Sequence, residues 1–336
     1  AKPTIDIMGR VHPYPPSDDS VAALEAIGYT WRGEYGLPGR TYFTKGPHDY
    51  HLHLVGFDTE HWERHRVFRD YLRANGSARE RYAALKVDLA ERFRFDRPAY
   101  QDGKTELIHA LYQEAVVWHV RTTEFTPVER LATWLDGLPT DGLWAVSSGW
   151  ALDLFLGAPS RYHDDLDVEI DRGRQAVVQQ HLAERGWRLD QVVEGGRYAP
   201  WPTGVPMAAA SHQAHARRDG EFVDLLMAPR ADGTWRYRRD ERVALPLERA
   251  ILTGRLPSGR TVAYLAPEAV LLFKSRSSQG GSEDGPRGKD DADFARVLPM
   301  LEREPRGWLA GALRTVHGEH PWIGEIEVRQ PPPPSR

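Results

Sequence analysis

The sequence predicts an α/β (α+β) chain of two domains, each a mixed sheet flanked by helices, and three observations carry that prediction. Short apolar runs at 4–8, 40–44, 50–55, 143–146 and 221–227 have the length and the turn-residue borders of strands. Stretches of helical period stand between and after them. The succession of strand, capped helix stopped by glycine, and closing strand occurs in each half of a chain whose 336 residues suffice for two hydrophobic cores.

Composition narrows the class. With 40% hydrophobic and 27% charged residues, a net charge of −4 and a pI near 6.4, the chain has no global basic field for nucleic acid. The basic run from Arg236 to Arg239 reads as a solvated face. No apolar run approaches the ~18 residues of a membrane span, and no leader segment is evident. The absence of cysteine excludes disulfides, thiol nucleophiles and zinc–thiolate sites, so the cytoplasm is the expected compartment. Because Ala1 leads almost directly into a strand, a piece upstream is expected to be missing.

In the first half, a strand over 4–8 carries Asp6, and Ser17, Asp18, Asp19 and Ser20 offer N-caps to a helix over 21–27 that Gly28 can stop. Strands at 40–44 and 50–55 follow, then helices over 60–75, 77–95 and 99–120. The second helix has Tyr82, Leu85, Leu89 and Phe93 on one stripe. His51 and His53, two apart on a strand, share a face and with Asp6 form a candidate metal or phosphate site; histidines satisfied by hydrogen bonds on a partly exposed strand are the commoner explanation.

The second half opens with a helix over 128–138, started by Thr126 and Pro127, and a buried strand over 143–146. Ser147, Ser148 and Gly149 make a turn of small residues whose backbone N–H groups suit an anion, and a helix over 150–156 continues from it. A strand over 165–170 then places Asp165, Asp167 and Glu169 on one face and Leu166, Val168 and Ile170 on the other. Two carboxylates side by side repel unless a cation lies between them, and oxygen ligands suit Mg²⁺. A solvated strand face would show the same D-x-D pattern. Asp164 suits a cap beside His163, and Asp153 either the site or a local ion pair. A helix over 175–185 stops at Gly186. Asp224, flanked by apolar residues in the strand 221–227, needs a partner or a metal and is the third candidate ligand. A helix from Pro267 carries Lys274, another begins near Lys289, and the Gly/Ser-rich stretch 277–288 and the proline-rich tail are expected to be mobile or extended.

Residues 1–120 resemble the GrpB (UPF0157) family, in Lys2-Pro-Thr-Ile-Asp-Ile-Met8, Gly33-Glu-Tyr-Gly-Leu-Pro-Gly-Arg-Thr-Tyr-Phe43, His51-Leu-His-Leu54 and Phe68-Arg-Asp-Tyr-Leu-Arg73. Residues 128–324 resemble aminoglycoside nucleotidyltransferases of the 2″-adenylyltransferase group. The matching blocks are Ser148-Gly-Trp-Ala-Leu-Asp-Leu-Phe-Leu-Gly157, His163-Asp-Asp-Leu-Asp-Val168, Phe222-Val-Asp-Leu-Leu226, Trp235-Arg-Tyr-Arg-Arg-Asp240 and Lys289-Asp-Asp-Ala-Asp-Phe294. That group usually has Gly-Gly where this chain has Ser148-Gly149. The resemblance implies two nucleotidyltransferase-like domains, at 1–122 and 128–324, with a tail at 325–336. The GrpB-like half lacks the family's upstream Gly-Ser turn, and Thr4 and a histidine stand where the second half has acids. It therefore reads as a degenerate copy of one duplicated fold, with Gly28 matching Gly186 and the His51 strand matching the Asp224 strand.

The expected function is Mg²⁺-dependent transfer of a nucleoside monophosphate from a nucleoside triphosphate to a hydroxyl of a small molecule, an aminoglycoside-type antibiotic among the possibilities. Asp165, Asp167 and Asp224 would hold two Mg²⁺ ions, with Asp224 alternatively taking the acceptor proton. Ser148 and Gly149 would grip phosphate, and Arg161, Lys274 and Lys289 would face pyrophosphate. Glu194, Asp219 and Glu221 are available to a cationic acceptor. The alternatives are the same chemistry on a protein, tRNA or biosynthetic intermediate, and a non-catalytic nucleotide-binding scaffold. Neither a nucleic-acid nor a membrane partner is expected.

Overall fold

The computed structural model describes residues 4–47, 49–57, 60–139, 141–275 and 288–328, which divide into two compact units at 1–122 and 123–336. The Gly/Ser-rich stretch up to residue 287 and the proline-rich tail from 329 lie outside the described residues.

In the first unit, strand Ile5–Val11 leads to helix Asp18–Ala26, whose N-cap Ser17 accepts from the Ser20 backbone N–H at 3.3 Å. Gly28, at φ +91°, turns the chain into the short strand Thr30–Trp31, followed by the hairpin Arg40–Lys45 and Tyr50–Gly56. Ile5–Val11 pairs in parallel with Tyr50–Gly56, at the edge of a four-stranded sheet ordered Ile5–Val11, Tyr50–Gly56, Arg40–Lys45, Thr30–Trp31. Phe43, Leu52 and Leu54 bury one face under Val21 and Leu24 of the helix. Helices Glu60–Ala74 and Gly76–Arg92 follow. The third expected helix is two, Arg97–Asp102 and Thr105–Thr123. The break comes at Gly103, where a Cβ would lie 2.6 Å from the Leu89 side chain, so this turn packs closely against helix Gly76–Arg92.

The second unit is built on an eight-stranded sheet. Its order is Ile251–Arg255, Thr261–Leu265, Trp144–Val146, Asp167–Asp171, Glu221–Ala228, Gln213–Arg218, Arg188–Val193, Arg197–Pro200. Helices Ser148–Leu156, Gln175–Glu184, Pro267–Lys274, Gly288–Val297 and Arg303–His317 accompany it, and one continuous core runs from Phe125 to Ile326. The last helix, Pro321–Val328, buries Trp322 and Ile326 in that core.

Strand order and direction repeat between the units. Ile5–Val11 with Tyr50–Gly56 is a parallel pair, as is Asp167–Asp171 with Glu221–Ala228, and in both units two antiparallel neighbours follow in the same order. Gly186 (φ +80°) ends the helix after the first strand as Gly28 does. The repeat puts Asp6 opposite His51 and Asp167 opposite Asp224.

Candidate active site

Asp167 opens its strand and lies in register with Asp224 on the parallel neighbour, so both carboxylates leave the same face about one inter-strand spacing, ~4.8 Å, apart. The strand starts two residues later than expected. The Asp165 carbonyl accepts from the Trp150 indole N–H at 3.0 Å, whereas that of Leu166 already accepts from the Asp224 amide at 3.0 Å. Asp165 therefore sits in the exposed entry loop rather than on the strand.

Asp167 is only 8% exposed. Burial and the nearby Asp165 charge push its carboxyl up to about 7, against the pull of the Ser148 hydroxyl, Lys274 and Lys289. Asp224 stands well above the ordinary carboxylate range, from burial and then from the charge of Asp167, with Gln213 and Arg238 acting in the opposite sense. Gln213 Nε2 donates to Asp224 Oδ2 at 2.5 Å, but Asp224 Oδ1 is buried with no hydrogen-bond partner. Buried like charges and an orphaned oxygen are costly by themselves. An all-oxygen donor set of this kind fits a hard divalent cation.

Glu169, expected on the same acid face, is taken up elsewhere. Its Oε1 accepts from Arg230 at 2.7 Å and from the Trp235 indole at 2.8 Å, inside the core.

Ser148 and Gly149 form the first turn of helix Ser148–Leu156 rather than a loop before it, beginning at the carboxyl end of strand Trp144–Val146. Ser148 occupies the left-handed region at φ +54°, where a glycine would be unstrained, and its hydroxyl hydrogen-bonds Asp167. The serine thus supplies a side-chain donor that the Gly-Gly pattern lacks. Gly149 is needed for packing: a Cβ there would lie 2.3 Å from the His163 ring and 2.8 Å from Arg161 Nη2. His163 stacks on Trp150 and its Nε2 lies 2.6 Å from Asp153 Oδ2, both side chains almost fully buried. Asp153 Oδ1 accepts from the Ser160 amide and hydroxyl, so this pair holds the loop leading to Asp165. Gly149→Ala is expected to lower unfolding free energy by about 1–3 kcal/mol in urea titration, through overpacking against the His163 ring.

The expected pyrophosphate cations Arg161 and Lys274 are engaged with aspartates. Arg161 grips Asp293 with two hydrogen bonds at 2.9 and 3.0 Å, and Lys274 Nζ lies 2.7 Å from Asp290 and 2.9 Å from Asp293. Burial opposes ionisation of Asp293, yet Arg161 and Lys274 hold its carboxyl down at about 2. The cluster orders the wall beside Asp167 instead of presenting bare charge. Lys289 is exposed on the first turn of Gly288–Val297, and its charge still reaches Asp167. Of the acids suggested for a cationic acceptor, Glu221 pairs with Arg130, Asp219 lies 3.8 Å from Arg218, and Glu194 is exposed.

Gln213, Arg238, Asp290 and Asp293 escaped the sequence reading. The spacing of Asp290 and Asp293 on one helix face, in the block Lys289-Asp-Asp-Ala-Asp-Phe294, is a usable signal for the last two. Nothing local marks Gln213, which meets Asp224 only through antiparallel pairing.

In the first unit Asp6, His51 and His53 come together. His51 Nδ1 is 3.1 Å and His53 Nε2 3.7 Å from Asp6 Oδ1.

A mixed sheet carrying Asp167 and Asp224 beside the start of a helix defines the second unit as a nucleotidyltransferase-like domain. The family model for aminoglycoside-2″-adenylyltransferase matches residues 128–297, half of the chain, and the chain belongs to that family. The model for GrpB protein matches residues 1–114. UPF0157 protein YqkA of Bacillus subtilis is 37% identical over 120 residues, 35% of this chain and 35% of the relative. UPF0157 protein PA4798 of Pseudomonas aeruginosa is 33% identical over 122 residues, 34% of this chain and 50% of the relative. The chain thus spans a third to a half of the length of these curated relatives. Among solved structures, antibiotic-resistance factor ANT(2″)-Ia superposes with a TM-score of 0.41 at 18% identity, over 61% of this chain and 97% of that one.

Proposed function

We propose that the second unit transfers a nucleoside monophosphate from a nucleoside triphosphate to a hydroxyl of a small molecule, an aminoglycoside-type polycation being the acceptor class the family suggests. The observation that carries this reading is the in-register pair Asp167 and Asp224, both raised in pKa, with Asp224 Oδ1 left unpartnered.

Asp165, Asp167 and Asp224 would hold Mg²⁺, which when bound would neutralise triphosphate charge. The chain's own contribution is positioning. The Ser148 hydroxyl and the amides that open the Ser148–Leu156 helix would orient phosphate oxygens. The exposed Lys289 would add cationic charge to the same region, while the paired Arg161 and Lys274 keep its wall rigid. Attack by the acceptor oxygen forms its bond to the α-phosphorus and breaks the bond from that phosphorus to the bridging oxygen, releasing pyrophosphate. In place of metal ligation, Asp224 Oδ1, which has no hydrogen-bond partner, would instead take the acceptor's proton.

The test is pyrophosphate release by the full chain over a panel of nucleoside triphosphates, with Mg²⁺ and with aminoglycosides, other hydroxyl antibiotics, tRNA or proteins as acceptors. Release that depends on Mg²⁺ and on a small polycationic hydroxyl acceptor is expected. Release only with tRNA or protein would move the acceptor class, and none with any pair would leave a nucleotide-binding role.

A further inference from the structure

We propose that the first unit binds one divalent transition-metal ion of the zinc class through Asp6, His51 and His53, independently of the acid site in the second unit. The three ligand atoms lie within 4.8 Å of one another, and no other group of this kind occurs among the described residues. A tetrahedral ion with bonds of ~2.0–2.2 Å sets neighbouring ligand atoms about 3.3 Å apart. The distances from Asp6 Oδ1, 3.1 Å to His51 Nδ1 and 3.7 Å to His53 Nε2, fall on either side of that value. Small side-chain rotations are therefore enough to admit an ion.

The sheet holds the ligands in this arrangement. Asp6 is in register with His51, and His53 shares the face of His51 two residues along the same strand. The buried Tyr42 packs against both rings, with centroids 5.5 and 5.0 Å away, which limits their freedom. Asp6 is 70% exposed, so the fourth position opens to solvent. Asp6 and His53 also line a cavity of about 670 Å³ with Arg40, His61 and His65, leaving room for a further ligand. Two imidazoles and one carboxylate suit zinc, cobalt or nickel better than magnesium, in contrast to the oxygen-only set of the second unit.

One contact has to change. Arg40 Nη1 lies 3.4 Å from His53 Nδ1, and ligation through Nε2 would place the ring proton on Nδ1. The guanidinium then relies on the backbone carbonyls of Glu34 and Tyr35, each already 3.0 Å from its Nη2.

Cobalt is the probe. The full chain, stripped with chelator, is titrated with Co²⁺ and followed by visible absorption, beside Asp167→Asn, Asp6→Asn and His51→Ala. The expected result is a saturable nitrogen-ligated band at one equivalent, kept in Asp167→Asn and weakened at least about tenfold in affinity in the other two variants. Asp6→Asn alters an exposed side chain, so its folding, checked by circular dichroism, keeps the comparison valid if His51→Ala fails to fold. No band in the full chain, a band unaffected by Asp6→Asn, or one removed by Asp167→Asn overturns the proposal.

Discussion

Asp224→Asn is expected to reduce kcat for nucleotidyl transfer by about a thousandfold while leaving the melting temperature unchanged or higher. The two effects diverge because the carboxylate is costly to the fold. It is buried, its Oδ1 has no partner, and the Asp167 charge opposes its own. A neutral amide of the same shape keeps a polar group for Gln213 and removes the repulsion across the strand pair. Each kcal/mol so recovered would raise the midpoint by about 2–4 °C in a domain of this size. Pyrophosphate release and metal-free thermal melts on the same preparations check both halves. A large fall in the midpoint accompanying the loss of activity would make Asp224 a structural residue.

Mg²⁺ is expected to raise the melting temperature by several degrees at pH 8 and by little at pH 5.5. Asp167 titrates near 7 in the folded chain against 3.8 ordinarily, so between those values the native state holds the extra proton. Stability without metal accordingly falls as pH rises through that window, by a few kcal/mol in all, and Asp224, also raised by burial and the Asp167 charge, acts in the same direction. Above the window Asp167 is charged and a cation relieves its repulsion with Asp224; below it, protons compete with the cation for the same oxygens. Thermal melts from pH 5.5 to 8.5, with and without Mg²⁺, measure the difference. A shift of equal size at every pH would place the bound ion away from Asp167 and Asp224.

How much of this was legible in the chain depends on the range of the interaction. The acids could be found because Asp167 lies in a period-two pattern and Asp224 interrupts an apolar strand, both of which are local signals. Asp165 was misplaced by two residues, since whether it joined the strand depended on the distant Trp150 taking its carbonyl. Arg161 and Lys274 were read as cations awaiting phosphate because their carboxylate partners, Asp290 and Asp293, lie on another helix far along the chain. Gly149 reads in the sequence as part of an anion-binding turn, whereas the group that packs against it is the His163 ring.

By itself, then, the sequence determined the two-unit α/β plan, the order of strands and helices, and the acid types at 165, 167 and 224, because periodicity, caps and turn residues act over a few positions. Only the tertiary structure decided which of those acids meet. Parallel pairing sets Asp167 against Asp224 and Asp6 against His51, and draws Glu169 away to Arg230. The physical reason is that charge and burial depend on separation in space. Repulsion that raises one carboxyl and ion pairing that lowers another both arise from neighbours brought together by sheet register and helix packing.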